Sequence, residues 1–370
     1  MLLNTYLAAM TAAVVFAQAP AGTSERWSAD RINAWYEARP WPVGCNFIPS
    51  TAINELEMWQ ADSFDAATID RELGWAEGIG FNTVRVFLHD IAWREDPEGF
   101  LRRMDEFLAI ADLHHIAPLF VLFDACWDPY PKSGKQRDPK PHVHNSGWLQ
   151  SPSLDVLKDP ARHGELEPYV KAVLTRFAKD PRILGWDLYN EPGNINPNSY
   201  EKLEPPNKAE LCLMLLEKAY GWAREVNPEQ PLTVGVWQGE WSLNAQLTPL
   251  TQFMVDHSDF ISFHSYAPLA EVQKRVDSLR GYGRPIVCTE YMSRPTGSTF
   301  AKILPYFKEN RVGAMNWGLV SGKTQTIYPW ESWVKPFTEE PPVWFHDIFR
   351  PDGTPFDSAE PEVIRKLAGK

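Results

Sequence analysis

Two glutamates stand where chemistry is easiest to build. Glu191 closes the stretch Trp186-Asp187-Leu188-Tyr189-Asn190-Glu191-Pro192, and Glu290 closes Val287-Cys288-Thr289-Glu290-Tyr291. Each follows a short apolar run, so each carboxylate is expected at the end of a buried strand rather than on a solvated helix face. Opposed carboxylates in different environments can divide labour: one stays protonated near neutral pH as an acid, the other stays ionised. In glycoside cleavage that pair supplies the proton donor and the nucleophile. Read alone, Glu191 is equally an ordinary loop carboxylate before a proline.

The elements that would hold them repeat along the chain. Strand-like runs occupy 43–47, 83–88, 118–123, 183–189, 232–237, 260–264, 285–289 and 313–317. Most are too continuously apolar for a sheet with one wet face, as in parallel strands covered by helices. Between them lie amphipathic stretches. Phe100, Met104, Phe107, Leu108 and Ala111 fall on one helical face, as do Leu211, Leu215, Ala219 and Trp222. Val272, Val276 and Leu279 repeat the pattern, and so do Ile303, Leu304 and Phe307. Asp65 reads as an N-cap ahead of Ile69, Leu73 and Ala76, and 357–367 as a last helix.

This alternation predicts the α/β class and a (β/α)8 TIM barrel, a single domain over 22–370 with long βα loops. A doubly wound open sheet is the structural alternative, but no GxGxxG follows the first run. Long segments at 125–165, 192–207 and 318–358 would hang over the C-terminal face, where barrel active sites lie. The fourth and seventh strands face each other across such a barrel, so Glu191 and Glu290 could flank one bound molecule.

With these motifs in order, from Trp41 to Trp317, the chain resembles glycoside hydrolase clan A, and within it the family 5-like cellulase and β-mannanase group. The resemblance implies a retaining β-glycosidase with Glu191 as acid/base and Glu290 as nucleophile. It implies that Asn190 bonds the sugar 2-hydroxyl and that Arg85 keeps the nucleophile ionised. It further implies that His264 and Tyr266 line the nucleophile and that Trp317 floors the subsite of the sugar being cleaved. A cation and a Tyr hydroxyl beside Glu290 are expected to lower its pKa, and desolvation to raise that of Glu191. Asn46, His89, Asp124, Trp127, Trp237 and Glu240 follow other strands and are weaker cleft-lining candidates. A departure from the family stands after the third run, where Asp124, Ala125, Cys126 and Trp127 replace a common histidine.

The chemistry implied needs no metal and no organic cofactor. His142-Val143-His144 has a metal-ligand spacing but lies deep in a Pro-rich loop, where contacts to substrate are the better expectation. A carbohydrate substrate of mannan, glucan or xylan type is implied. A non-catalytic carbohydrate-binding barrel, a metal-dependent barrel hydrolase and a sugar-transferring enzyme remain as alternatives.

Composition agrees with a globular enzyme. The 370 residues are 44% hydrophobic and 23% charged, which excludes a wholly disordered chain, a coiled coil and a multi-span membrane protein. A net charge of −12, without basic runs, argues against nucleic acid as partner. Sixteen Trp suit either core or stacking on sugar rings. The four cysteines have no CxxC spacing and read as buried thiols, with one disulfide an option if the protein is exported. Residues 1–21 read as a signal peptide: an apolar stretch at 6–15, then Ala17-Gln18-Ala19-Pro20-Ala21, with cleavage easier after Ala17 or Ala21 than before Pro20. Secretion or a periplasmic location is the expectation. No later run reaches the length of a spanning helix.

Overall fold

A computed structural model describes residues 25–370. The signal peptide expected at 1–21 lies outside them. All eight expected runs form strands: β1 (Val43–Asn46), β2 (Thr83–Phe87), β3 (Ala117–Val121), β4 (Gly185–Asp187), β5 (Leu232–Thr233), β6 (Ile261–His264), β7 (Ile286–Tyr291) and β8 (Gly313–Trp317). Every pairing is parallel, in the order β5-β4-β3-β2-β1-β8-β7-β6. The two ends of that order meet through one bridge, Val236 with Phe263. There Val236 N–H donates to Ser262 O at 3.0 Å and His264 N–H to Val236 O at 3.0 Å. The result is a nearly closed barrel of eight parallel strands with helices between them.

The strands are buried on both faces, which explains their unbroken apolar sequence. At Gly44 the packing leaves no alternative, because a Cβ would stand 1.8 Å from Thr83 O. The amphipathic stretches form helices outside the barrel, including Ala66–Gly78, Pro97–Leu113, Lys208–Val226, Leu269–Arg280, Phe300–Glu309 and Ala359–Ala368. Asp65 caps the first of these, accepting from Thr68 N–H at 3.0 Å.

Two features escaped the pattern reading. The register between β6 and β7 slips, pairing Phe263 with Cys288 but His264 with Glu290. Such a bulge re-aims side chains at a strand end, and both residues it re-aims are site candidates. The other is a helix at Ala29–Glu37, ahead of the first strand. Its Ile32 and Tyr36 pack with Trp27 against Leu119, Phe260, Val287 and Met315, plugging the N-terminal mouth of the barrel. Trp27 N–H donates to the buried Asp259 Oδ1 at 2.8 Å, fixing the plug to the segment before β6. Among the described residues, no helix is long and apolar enough to cross a membrane.

Ile32 is fully buried in this plug. Ile32→Ala should lower unfolding free energy by about 2–5 kcal/mol, read as a lower urea midpoint; an unchanged midpoint would mean that the plug is not part of the cooperative structure.

Candidate active site

The C-terminal ends of the strands bring one cation under two carboxylates. Arg85, in the middle of β2, is 0% exposed. Its Nη1 donates to Glu290 Oε1 at 2.8 Å and to Asn46 Oδ1 at 2.9 Å. Its Nη2 donates to Asp187 Oδ2 at 2.8 Å and to Asn190 Oδ1 at 2.8 Å. Its Nε donates to Asp187 Oδ2 at 3.0 Å. All five guanidinium N–H donors are therefore used.

Glu290 takes its second donor from Tyr266, whose hydroxyl lies 2.7 Å from Oε2. Burial, and the facing Glu290, push the Tyr266 hydroxyl well above its ordinary pKa, so it stays a donor. Glu191 sits after β4 with φ 41°, a left-handed backbone uncommon for a glutamate. Asn194 Nδ2 donates to its Oε2 at 2.7 Å, and the Cys126 thiol lies 3.4 Å from the same oxygen. His264 Nδ1 stands between the acids, 2.8 Å from Glu191 Oε1 and 3.5 Å from Glu290 Oε2. One atom each from Glu191, His264 and Glu290 lie within 4.8 Å of one another.

Burial pushes both carboxyls above the ordinary carboxylate range. For Glu191 this is as expected. For Glu290 it corrects the expectation of a lowered pKa: Arg85 and Tyr266 do favour the ionised form, but desolvation, with Glu191 adding to it, outweighs them. The difference between the two acids lies in their partners. Glu290 touches a permanent cation, whereas Glu191 touches an amide, a thiol and an imidazole. Burial pushes that imidazole, His264, down to about 4, so it is neutral at pH 7.

Asn190 is fixed from both ends. Its Oδ1 accepts from Arg85, and its Nδ2 donates to Asp124 Oδ1 at 2.9 Å. Asp124 is held in turn by the Trp148 indole N–H at 2.7 Å and by Cys126 N–H at 2.9 Å. The Trp317 ring meets Phe87 and Trp148 edge to face, at centroid distances of 5.8 and 5.6 Å.

A cleft of about 830 Å³ opens above this cluster. Of the residues singled out in the sequence, Glu191, Glu290, Asn190, His264, Tyr266, Trp317, Trp237 and Trp127 line it. Arg85 and Asn46 lie beneath it. Asn46 was expected on the cleft wall; instead its amide is consumed by Arg85, Thr289 O and Asn316 O. Nor do His89, Asp124 and Glu240 reach the wall. His89 is buried as the N-cap of the helix Asp90–Glu95, Asp124 buttresses Asn190 and Trp148, and Glu240 is exposed on the loop after β5. In the His142-Val143-His144 stretch, His144 lines the cleft, while His142 Nδ1 lies 2.6 Å from the Tyr328 hydroxyl. All four cysteines are free and buried.

Several residues were not anticipated. Asp187 is the second anchor of Arg85; an acid inside an apolar strand must be paired, and a buried arginine needs more than one acceptor, so a signal existed. Trp148, Asn194, Trp330 and His346 also line the cleft. They come from long irregular segments whose path no periodicity reveals.

Comparison with known proteins places this arrangement. The sequence profile of the Cellulase family (glycosyl hydrolase family 5) matches residues 76–322. No curated protein matches by sequence. Among solved structures, the chain is similar to a β-1,4-mannanase from the sea hare Aplysia kurodai, with TM-score 0.54 and 19% identity over 75% of this chain and 88% of that one. It is similar to an endo-1,4-β-mannanase from Rhizomucor miehei, with TM-score 0.58 and 14% identity over 90% and 96%. An exo-β-1,4-mannosidase from Opitutaceae bacterium strain TAV5 gives TM-score 0.57 and 20% identity over 89% and 59%. At such identities the structural likeness speaks for the fold, and the profile, which spans most of the chain, speaks for the family. The protein is a glycosidase and belongs to glycosyl hydrolase family 5.

Proposed function

We propose that this enzyme hydrolyses β-linked oligo- or polysaccharides of mannan, glucan or xylan type with retention of configuration. The approach of one Glu191 oxygen to one Glu290 oxygen within 4.8 Å supports the reading. Retaining pairs stand about 5–5.5 Å apart, whereas inverting pairs leave about 6.5–9.5 Å for a water. β-Mannosides are the first substrates to try, since the similar structures named above are two β-1,4-mannanases and an exo-β-1,4-mannosidase.

Glu290, ionised on Arg85, attacks the anomeric carbon while Glu191 gives its proton to the departing oxygen. The product of this step is a glycosyl ester on Glu290. Glu191, now a carboxylate, takes a proton from water, and the oxygen of that water displaces Glu290 from the sugar. Asn190, locked between Arg85 and Asp124, is placed to bond the hydroxyl next to the anomeric carbon. Trp317 offers an apolar face to the ring. Export fits the leader-like residues 1–21.

A metal-dependent hydrolase has one observation in its favour, the Glu191, His264 and Glu290 atoms gathered within 4.8 Å. Against it, both Glu290 oxygens already hold donors, and an added cation would face the Arg85 guanidinium. EDTA should leave hydrolysis intact; a loss restored by a divalent metal would replace the present reading.

Glu290→Ala should abolish hydrolysis of aryl β-glycosides, and azide should restore turnover by filling the vacated space, releasing a glycosyl azide of opposite anomeric configuration. Glu191→Gln should cost roughly 10²–10⁴-fold in kcat. Full activity in Glu290→Ala would remove the central assignment. Sugar binding without hydrolysis in the wild type would point to a binding barrel, and transfer products to a sugar-transferring enzyme.

The pH profile of kcat/KM should be bell-shaped. Its acid limb follows protonation of Glu290 and its alkaline limb ionisation of Glu191, both displaced by burial above the ordinary carboxylate range. Tyr266→Phe removes a donor to ionised Glu290, so the acid limb should move to higher pH. A limb that stays in place would show that the hydroxyl does not tune the nucleophile.

A further inference from the structure

The two ends of the cleft differ. Glu290 must touch the anomeric carbon and Glu191 the oxygen it carries. The leaving group therefore runs past Glu191, and the rest of the cleaved sugar lies away from it, over Trp317. Past Glu191 the wall belongs to the segments after β4 and β5, where Ile195 is 51% exposed and Trp237 partly so. That end opens to solvent.

The other end is built shut. The segment after β3 is laced to the segment after β8: Asn145 N–H donates to Thr324 O at 2.8 Å, His144 N–H to Ser332 Oγ at 2.9 Å, and the Trp333 indole to His144 O at 2.8 Å. Lys323 N–H donates to Ser50 O at 3.0 Å, drawing in the loop after β1. Trp148 and Trp317 line both the cleft and the space behind it. That space is about 10 Å³, roughly one water sphere and far too small for a second sugar ring.

The closed end carries acceptors. Asn145, 1% exposed, lines the cleft, and its Oδ1 is buried without a hydrogen-bond partner. A buried amide oxygen left unpaired is unfavourable, so a ligand hydroxyl there would recover a bond. Asn145 holds φ 45°, a left-handed backbone that Asn tolerates. His144 and His346 also line the cleft. Their Nδ1 atoms face carbonyls, Tyr328 O at 2.7 Å and Met292 O at 2.6 Å, so Nδ1 carries the proton. Burial keeps both rings uncharged, His144 pushed down to about 4, leaving Nε2 as an acceptor. Among the described residues, the one Lys or Arg on the cleft wall, Arg275, belongs to the open side.

From this geometry we propose that the closed end is a pocket for the uncharged, non-reducing terminal sugar, with Asn145 Oδ1 accepting one of its hydroxyls, and that the enzyme removes single units from chain ends. The proposal rests on the hydrolase reading above and adds its mode of action. The test uses β-1,4-linked pentasaccharides of mannose, glucose and xylose, each tagged at the reducing end. First products should be a free monosaccharide and a tagged tetrasaccharide. A tagged di- or trisaccharide as first product overturns exo action and leaves the hydrolase reading standing. No cleavage of any pentasaccharide or aryl β-glycoside by folded enzyme overturns both. Asn145→Gly keeps the left-handed backbone and removes the acceptor. On an aryl β-glycoside its KM should rise about tenfold, the loss of one good hydrogen bond, with kcat little changed. An unchanged KM overturns the role of Asn145.

Discussion

A single buried guanidinium holds the site together. Arg85 gives all five of its N–H groups to residues from β1, from β7, and from β4 and the turn that follows it. A buried charge is tolerated only when paired and fully hydrogen-bonded, and two carboxylates with two amide oxygens meet that demand. Lysine could not replace it, because an ammonium has three donors and no planar fork. The arrangement also explains a division among the acids. Asp187 is wholly enclosed and serves Arg85 alone, while Glu290 reaches the cleft and keeps one oxygen for Tyr266. Arg85, Asp187 and Glu290 are thus placed by barrel strands rather than by loops, which favours precision.

Around that rigid floor stand softer parts. Glu191 leaves β4 through a left-handed turn, and its oxygens rest on Asn194, Cys126 and His264. The Cys126 thiol rests against Glu191, and burial keeps it protonated. It gives Glu191 a weak donor and no charge. The raised pKa of Glu191 is therefore governed mainly by desolvation, which suits the proton-donor role proposed for it. The walls come from the segments after β3, β4, β5 and β8, and their interlacing decides what length of sugar can be held.

The legible part of this protein was its strand ends. Strands buried on both sides carry unbroken apolar runs, so all eight could be read, and the polar residues closing them pointed to Glu191 and Glu290, while Asn190 and the mid-strand Arg85 entered through the family resemblance. Helix faces were legible where apolar residues recur with helical spacing, as in Pro97–Leu113. The role of Asn46 was misplaced because a strand-end residue can face the cleft or a buried neighbour, and the sequence does not say which. Trp148, Trp330 and His346 were invisible because they lie in segments without a period, placed by contacts between distant loops. The Ala29–Glu37 plug was missed for a related reason: its apolar residues are few, and their meaning comes from the barrel mouth they fill.

That plug links an early and a late part of the chain in time. Trp27 bonds a residue 232 positions later, and the Tyr36 hydroxyl bonds Arg311 O, 275 positions later. Ile32 and Tyr36 also pack on Met315 of the final strand. The plug segment thus has no complete docking site until the chain has been made through β8. Contacts this far apart along the chain form slowly, since loop closure precedes any reward. Sealing of the barrel floor is therefore a late event in folding, reserved for a chain that has been synthesised through β8.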